Sequence, residues 1–270
     1  MSEIGPFDAV LIAVAAVWGA VAGALLPRAA YRFSVPLPEP DEETESRPDE
    51  EGGASAEDQP GWLDSCPNGH PLRGWIGPAR CRDCVGPARS YGPGTPLLSP
   101  LTALLCVALS FATGIRPELA VWLLLAPVGV LLSAVDLRVR RLPDPLTLPL
   151  ALAALALLGV AALLPEHAGD WTTALLGSLA LSAGYLVLHL INPGGMGFGD
   201  VKLALGAGAV LGWYGWATVM LGTFAAFLLG ALYGGALLVA GRAGRKTPVP
   251  FGPFLITGTF VGLLIGAYSA

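Results

Sequence analysis

Two aspartates in the apolar part of the chain are the residues best placed to do chemistry. Asp136 stands in Ser133-Ala134-Val135-Asp136-Leu137-Arg138-Val139-Arg140-Arg141-Leu142-Pro143-Asp144, and Asp200 in Gly194-Gly195-Met196-Gly197-Phe198-Gly199-Asp200-Val201-Lys202. An acid beside a membrane-length apolar segment is costly and points to function. Two carboxylates a few ångströms apart cannot both ionise, so they share a proton. One can then take a proton from water while the other donates to a carbonyl, which is the chemistry of an aspartic protease. Plainer roles exist for each acid. Asp200 could cap the next helix, and Asp136 could pair with Arg138 or Arg140 at a helix end. Asp144 precedes Pro145, the spacing of an N-cap followed by proline at the first helical position. Gly194, Gly195, Gly197 and Gly199 make a poor helix, because glycine loses the most backbone freedom on ordering. Gly197 and Gly199 would instead form an active-site loop that lets substrate approach the backbone. Irregular backbone is tolerated at membrane depth where it lines a wet cavity.

A second set of residues could hold a metal. Cys66-Pro67-Asn68-Gly69-His70 is followed by Cys81-Arg82-Asp83-Cys84. The CxxC pair with an upstream Cys and His has the character of a structural zinc site, with Cys66, His70, Cys81 and Cys84 as ligands. The stretch 62–92 is too small to fold on a core alone, so zinc would supply its stability. The plain alternative is a degenerate insert with three idle thiols. Cys106 sits in an apolar run and reads as a packing residue. His189 reads as a hydrogen bonder between helices. Lys202 reads either as a charge at a cavity mouth or as a snorkelling lysine.

The elements that must position these residues are membrane spans. The chain is 54% hydrophobic and 13% charged, against about 25% charged for soluble domains. Such a chain is an all-α polytopic membrane protein. Apolar runs near 8–26, 97–113, 119–135, 146–164, 171–191, 201–211, 216–240 and 251–268 give about eight transmembrane helices, the first ended by Pro27 and Arg28. The sixth run is short and extends toward Trp213. Trp122, Trp171, Trp213 and Trp216 fall near the expected interfaces. The organisation is a first helix over 1–32, an acidic linker over 33–61, a small cytoplasmic Cys/His insert over 62–92, and a transmembrane peptidase domain over 93–270. The linker is rich in Pro, Glu, Asp and Ser and reads as disordered. It supplies most of the acid behind the net charge of −5, and no basic patch suggests nucleic acid. No Lys or Arg precedes the first run, so that run reads as a retained span rather than a cleaved signal. Arg28, Arg32, Arg47, Arg73, Arg80, Arg82, Arg89, Arg138, Arg140, Arg141, Arg242, Arg245 and Lys246 fall on one side, with Lys202 at the same end of its span, and only Arg116 on the other. The positive-inside rule then puts the N-terminus outside, and both aspartates and the insert on the cytoplasmic face of the plasma membrane.

In this order and with this topology, the motifs resemble the type IV prepilin peptidases, intramembrane aspartic proteases of the GxGD kind. Gly197-Phe198-Gly199-Asp200-Val201-Lys202-Leu203 is similar to that family's second catalytic motif. The stretch from Asp136 to Asp144 resembles its first, with the hydrophobic-Pro-Asp ending. Pro250-Phe251-Gly252-Pro253-Phe254 resembles a segment at the last span, and Gly23 with Tyr31 and Arg32 a first-span motif. The resemblance implies that Asp136 and Asp200 are catalytic. It implies cleavage of a short basic leader just after a glycine, on prepilins or pseudopilins whose next segment is a hydrophobic helix. It also implies methylation of the new N-terminus with S-adenosylmethionine. The family's insert carries two CxxC pairs, whereas here the first pair lacks its second cysteine and His70 stands close by. Tyr91-Gly92-Pro93-Gly94-Thr95-Pro96-Leu97 lacks the acid expected after the insert, so methylation rests on the resemblance alone.

Two other classes fit the bare residues. Broken helices and membrane carboxylates also build the ion site of a transporter, though here the acids lie near one face rather than the midplane. A non-catalytic pilus-assembly protein would have no use for two adjacent carboxylates.

Overall fold

The computed structural model describes residues 5–35, 61–193, 195–241 and 250–270. The expected acidic linker falls largely on residues 36–60, outside the described residues, as do Arg242, Arg245 and Lys246. Among the described residues there are eight α-helices and no strand: α1 (Pro6–Arg32), α2 (Thr95–Thr113), α3 (Glu118–Val139), α4 (Asp144–Ala161), α5 (Trp171–Ile191), α6 (Phe198–Trp213), α7 (Trp216–Val239) and α8 (Gly252–Ser269). Seven of them are long and apolar enough to cross a membrane. The protein is thus an all-helical, multi-pass membrane protein with a Cys/His cluster after its first helix. Many large apolar side chains face outward, among them Val10, Val14, Leu104, Phe111, Leu152 and Phe224. That pattern suits a lipid solvent, which covers apolar surface that water would not.

The exception in length is α6, at 16 residues. Such a helix is about 24 Å long, shorter than the hydrocarbon core of about 30 Å. It need not match the bilayer because it is enclosed by α4, α5, α7 and α8. Nearly every residue from Asp200 to Trp213 is buried. Small residues make this enclosure possible. A Cβ added at Gly208 would collide with the Gly177 carbonyl oxygen of α5, and one at Gly222 of α7 would lie 3.1 Å from the Gly258 carbonyl oxygen of α8. Close helix approach through small residues is the main source of association where lipid offers no hydrophobic drive. The α1–α2 pair follows the same rule, with Gly19 and Gly23 against Thr102 and Leu98, and it flanks the bundle at α3.

Three expectations need correction. Pro27 does not end α1, which continues to Arg32. Proline removes one helical donor and displaces its neighbours, but the insert takes up the disturbed groups. The Arg28 N–H donates to the Gly77 carbonyl, and the Gly77 N–H donates to the Leu25 carbonyl. Gly77 lies at φ +123°, open to glycine and strained for other residues. Trp122 and Trp213 are core residues, each 1% exposed, rather than interface anchors. Trp171 and Trp216, at the starts of α5 and α7, are exposed as expected. Asp144 is the first residue of α4, after the N-cap Pro143, and its carboxylate meets Lys202 Nζ at 2.6 Å instead of capping. Lys202 also lies over the Phe198 ring.

Candidate active site and metal centre

Asp136 lies one turn before the end of α3 and is buried. It has no ion-pair partner among the described residues, so the pairing with Arg138 or Arg140 does not form. Its Oδ2 accepts a hydrogen bond of 3.1 Å from the Gly252 N–H, the first residue of α8. That amide is one of the orphan donors at a helix start, and the helix dipole favours an anion there. Gly252 is required by space, since a Cβ there would lie 2.6 Å from Asp136 Oδ2.

Asp200 is in the first turn of α6, whose N-cap is Gly197, so it does not cap the helix itself. It too is buried. The two carboxyl groups are close enough for the charge of Asp136 to act on Asp200. Leu142 joins the two halves. It packs on the backbone at Gly199, where a Cβ would lie 3.0 Å from its own Cβ, and its Cδ1 lies 3.4 Å from the corresponding position on Gly252. Gly197 sits against Asp200 Oδ2, at 3.6 Å from an added Cβ. Of the expected loop glycines, Gly199 is therefore helical and Gly197 is the cap. The loop before them is held by His189, whose Nδ1 lies 2.8 Å from the Met196 carbonyl oxygen. His189 thus pins the turn after its own helix and does not bridge two helices.

Tyr185 of α5 is a neighbour that the sequence did not single out. It is 1% exposed, its hydroxyl has no partner among the described residues, and the Asp200 charge acts on it. Its only sequence signal is a phenol inside an apolar run. An apolar crevice of about 610 Å³ lies between α2, α3, α4, α6 and α8. On α6 it is lined by Leu203, Ala207 and Val210, which share a helix face with Asp200 by their spacing. On α8, Ile256, Thr259 and Leu263 bear the same relation to Gly252.

The second cluster lies in the insert. The ligand atoms of Cys66, His70, Cys81 and Cys84 are all within 4.8 Å of one another. The three sulfurs lie 3.5, 3.8 and 3.3 Å from His70 Nδ1, and Cys66 Sγ is 3.8 Å from Cys84 Sγ. A tetrahedral zinc with ordinary bond lengths requires about 3.8 Å between sulfurs and about 3.6 Å from sulfur to nitrogen. The donor set therefore fits zinc in type and spacing. Burial pushes the Cys66 thiol up, but the N–H groups of Asn68 and His70 and the His70 and Cys84 side chains outweigh it and lower it to about 6. A thiolate is what a metal needs. The insert is tied to α1 by Arg32, which donates to the carbonyls of Leu63 and Gly74 and lies over the Trp75 ring.

Fold and site together define a helical membrane protein with two buried carboxyl groups at one end of its bundle. The sequence pattern of the type IV leader peptidase family matches residues 122–235, a stretch that includes both aspartates. A prepilin leader peptidase/N-methyltransferase from Aeromonas hydrophila is 37% identical over 207 residues, which are 73% of this chain and 66% of that protein. Proteins of the same name from Burkholderia pseudomallei and Pseudomonas aeruginosa are 34% and 31% identical, over 75% of this chain and 67% and 71% of their own lengths. The chain thus spans just under two thirds of the Aeromonas relative. No solved structure matches. The chain belongs to the type IV leader peptidase family.

Proposed function

We propose that the protein is an intramembrane aspartic endopeptidase that removes the leader from type IV prepilins or pseudopilins at the cytoplasmic face of the inner membrane. The observation that carries this is the burial of Asp136 and Asp200 within reach of each other's charge, at the end of a bundle whose relatives are named leader peptidases. Two buried carboxyl groups in that arrangement hold one proton between them. The ionised member takes a proton from water, and the water oxygen attacks the carbonyl carbon of the scissile peptide. The protonated member donates to the carbonyl oxygen. The resulting diol collapses with cleavage of the C–N bond, and the amine leaves with a proton from the dyad. The Gly252 N–H fixes the orientation of Asp136. Gly197 keeps the approach to Asp200 free of a side chain, and Gly199 lets Leu142 pack against the backbone beside it. The crevice below would take the start of the hydrophobic helix that follows the leader.

Cys66, His70, Cys81 and Cys84 would hold a structural zinc that closes the insert on itself. Methyl transfer to the new N-terminus enters through the names of the relatives, and S-adenosylmethionine would supply the methyl group. No strand-turn-helix cradle for a nucleotide occurs among the described residues, and we assign that cofactor no residues. Nothing favours an ion-coupled transporter built on the same acids, since the family matched is one of peptidases.

The test is cleavage of a prepilin by the purified protein in liposomes, with product N-termini read by mass spectrometry. Asp136→Asn and Asp200→Asn should each lower the rate by about 10²-fold or more, the usual weight of a lost acid–base group. Wild-type rates in either variant would remove that residue from the dyad.

A further inference from the structure

A cavity of about 370 Å³ opens where the insert meets the last turns of α1. Arg28, Arg73, Arg80 and Arg82 line it against a single acid, Asp83, and Tyr91 forms part of its wall. Two of these side chains each hold a buried polar atom with hydrogen-bonding capacity unused, although Arg28 as a whole is only half-buried. Tyr91 is 9% exposed, and its hydroxyl has no partner among the described residues. Arg28 donates from Nη1 to the Arg73 carbonyl and from Nη2 to the Pro78 carbonyl, but its Nε–H is buried without an acceptor. The phenol lies beside the guanidinium without meeting it in hydrogen-bond geometry. Buried donors without partners are rare and costly. One acceptor oxygen placed between these two would serve both.

Such a ligand must carry several acceptor oxygens and negative charge, because four cations face one anion. Arginine forks match phosphate geometry in particular. The site also has a definite depth. Arg28 belongs to the last turns of a helix that spans the bilayer, so the cavity lies at the level of the lipid headgroups, where basic pockets between helices and headgroups form. We propose that this cavity binds a phosphate-bearing anion, with Arg28 Nε and Tyr91 Oη as buried donors and Arg73, Arg80 and Arg82 supplying charge. The phosphate could belong to an anionic phospholipid or to a soluble ligand. The site is separate from the dyad, and its existence does not depend on the peptidase reading.

The experiment is a phosphorus NMR titration of the full chain in a non-phosphate detergent, zinc-loaded, with dioctanoyl phosphatidylglycerol in one arm and inorganic phosphate in the other. Saturable binding is expected in at least one arm. The phosphatidylglycerol arm alone identifies a lipid headgroup. Saturation by inorganic phosphate identifies a site that takes the free anion. Tyr91→Phe should weaken binding about tenfold, the share of one hydrogen bond to a charged group. That variant keeps the ring, which packs edge-on against Tyr31 at 4.6 Å, so the insert retains its fold and the loss reports the hydroxyl. Arg80→Gln combined with Arg82→Gln should weaken binding about tenfold and flatten its salt dependence. No saturable binding in either arm, or wild-type affinity in Tyr91→Phe, overturns the proposal.

Discussion

The tightest constraint on chemistry at the residue scale is the contact between Gly252 and Asp136. A Cβ at residue 252 would come within 2.6 Å of the carboxylate oxygen, closer than carbon and oxygen tolerate. In Gly252→Ala the carboxylate must turn away or α8 must shift, and either change disturbs the 3.1 Å bond. Misplacing a reacting group by about an ångström costs about 10²-fold in rate, and we expect that loss in the cleavage assay. Alanine suits a helix start better than glycine, so the thermal midpoint should stay close to that of the parent. A variant with parental cleavage would separate Gly252 from the site. In the insert, the fit of four ligands to one tetrahedron predicts about one zinc per chain. Metal analysis by mass spectrometry should find it in the parent and find it lost in Cys84→Ser. Metal-free parent protein with an intact insert would argue for idle thiols. The nearness of Asp136 to Asp200 and the clustering of Cys66, His70, Cys81 and Cys84 were expected from the sequence, because these residue types stand out against their surroundings. Gly252 and Tyr185 were not legible in their roles. Gly252 meets Asp136 across 116 positions of sequence, and no local pattern encodes that distance. Tyr185 differs from a packing tyrosine only by what lies opposite its hydroxyl.

At the scale of elements, the site depends on how closely α5 and α6 approach. The contact runs through Gly177, Gly208 and Gly212. Added Cβ atoms there would meet the carbonyl oxygens of Gly208, Gly177 and Thr173 respectively, all on the facing helix. Backbone cannot yield as a flexible side chain can. Gly208→Ala should therefore separate the helices and cost about 1–3 kcal/mol, the range for overpacked cores, seen as a lowered midpoint of thermal unfolding in detergent. Gly184→Ala, on α5, meets nothing within 4 Å and should hold or raise that midpoint through helix propensity. Equal effects of the two would show that the glycines act through propensity and not through contact. The helices themselves were legible from apolar runs, including the short sixth. Their ends were less so. Pro27 reads as a stop because sequence shows only what proline removes; the groups that compensate come from Gly77, in a different element. The start of α6 was misplaced for a related reason. Glycine is a poor helix former in isolation, but Gly199 is packed against Leu142 and helical there.

At the scale of the whole molecule, alternating helices put the starts of α2, α4, α6 and α8, the ends of α1, α3, α5 and α7, and the insert at one end of the bundle. Asp136, Asp200 and Gly252 share that end, together with Arg138, Arg140 and Arg141. The opposite end carries Arg116, Glu118, Glu166 and Asp170 among the described residues. One of these acids is structural: Glu118 is fully buried and accepts from the Ala168 N–H and the Tyr214 hydroxyl. Arg116 is likewise held, donating to the Ala267 carbonyl. Among the described residues the cationic charge is thus concentrated at the end that holds Asp136 and Asp200, and the expectation under the positive-inside rule is that this end faces the cytoplasm. The assignment can be tested with single reporter cysteines in exposed loops and a maleimide that cannot cross membranes. The test would use a background with Cys106→Ala and the insert loaded with zinc, so that its thiols do not react. Glu166→Cys should label in intact spheroplasts. Arg141→Cys should label only after permeabilisation. The reverse pattern would place the dyad outside the cell, where a newly made precursor does not present its leader until after export, and the proposed order of processing would fail with it. The predicted pattern would instead put the acids, the insert and its basic cavity in the compartment where a leader with positive charge is retained by that same rule. Cleavage and orientation of the substrate would then rest on one charge asymmetry.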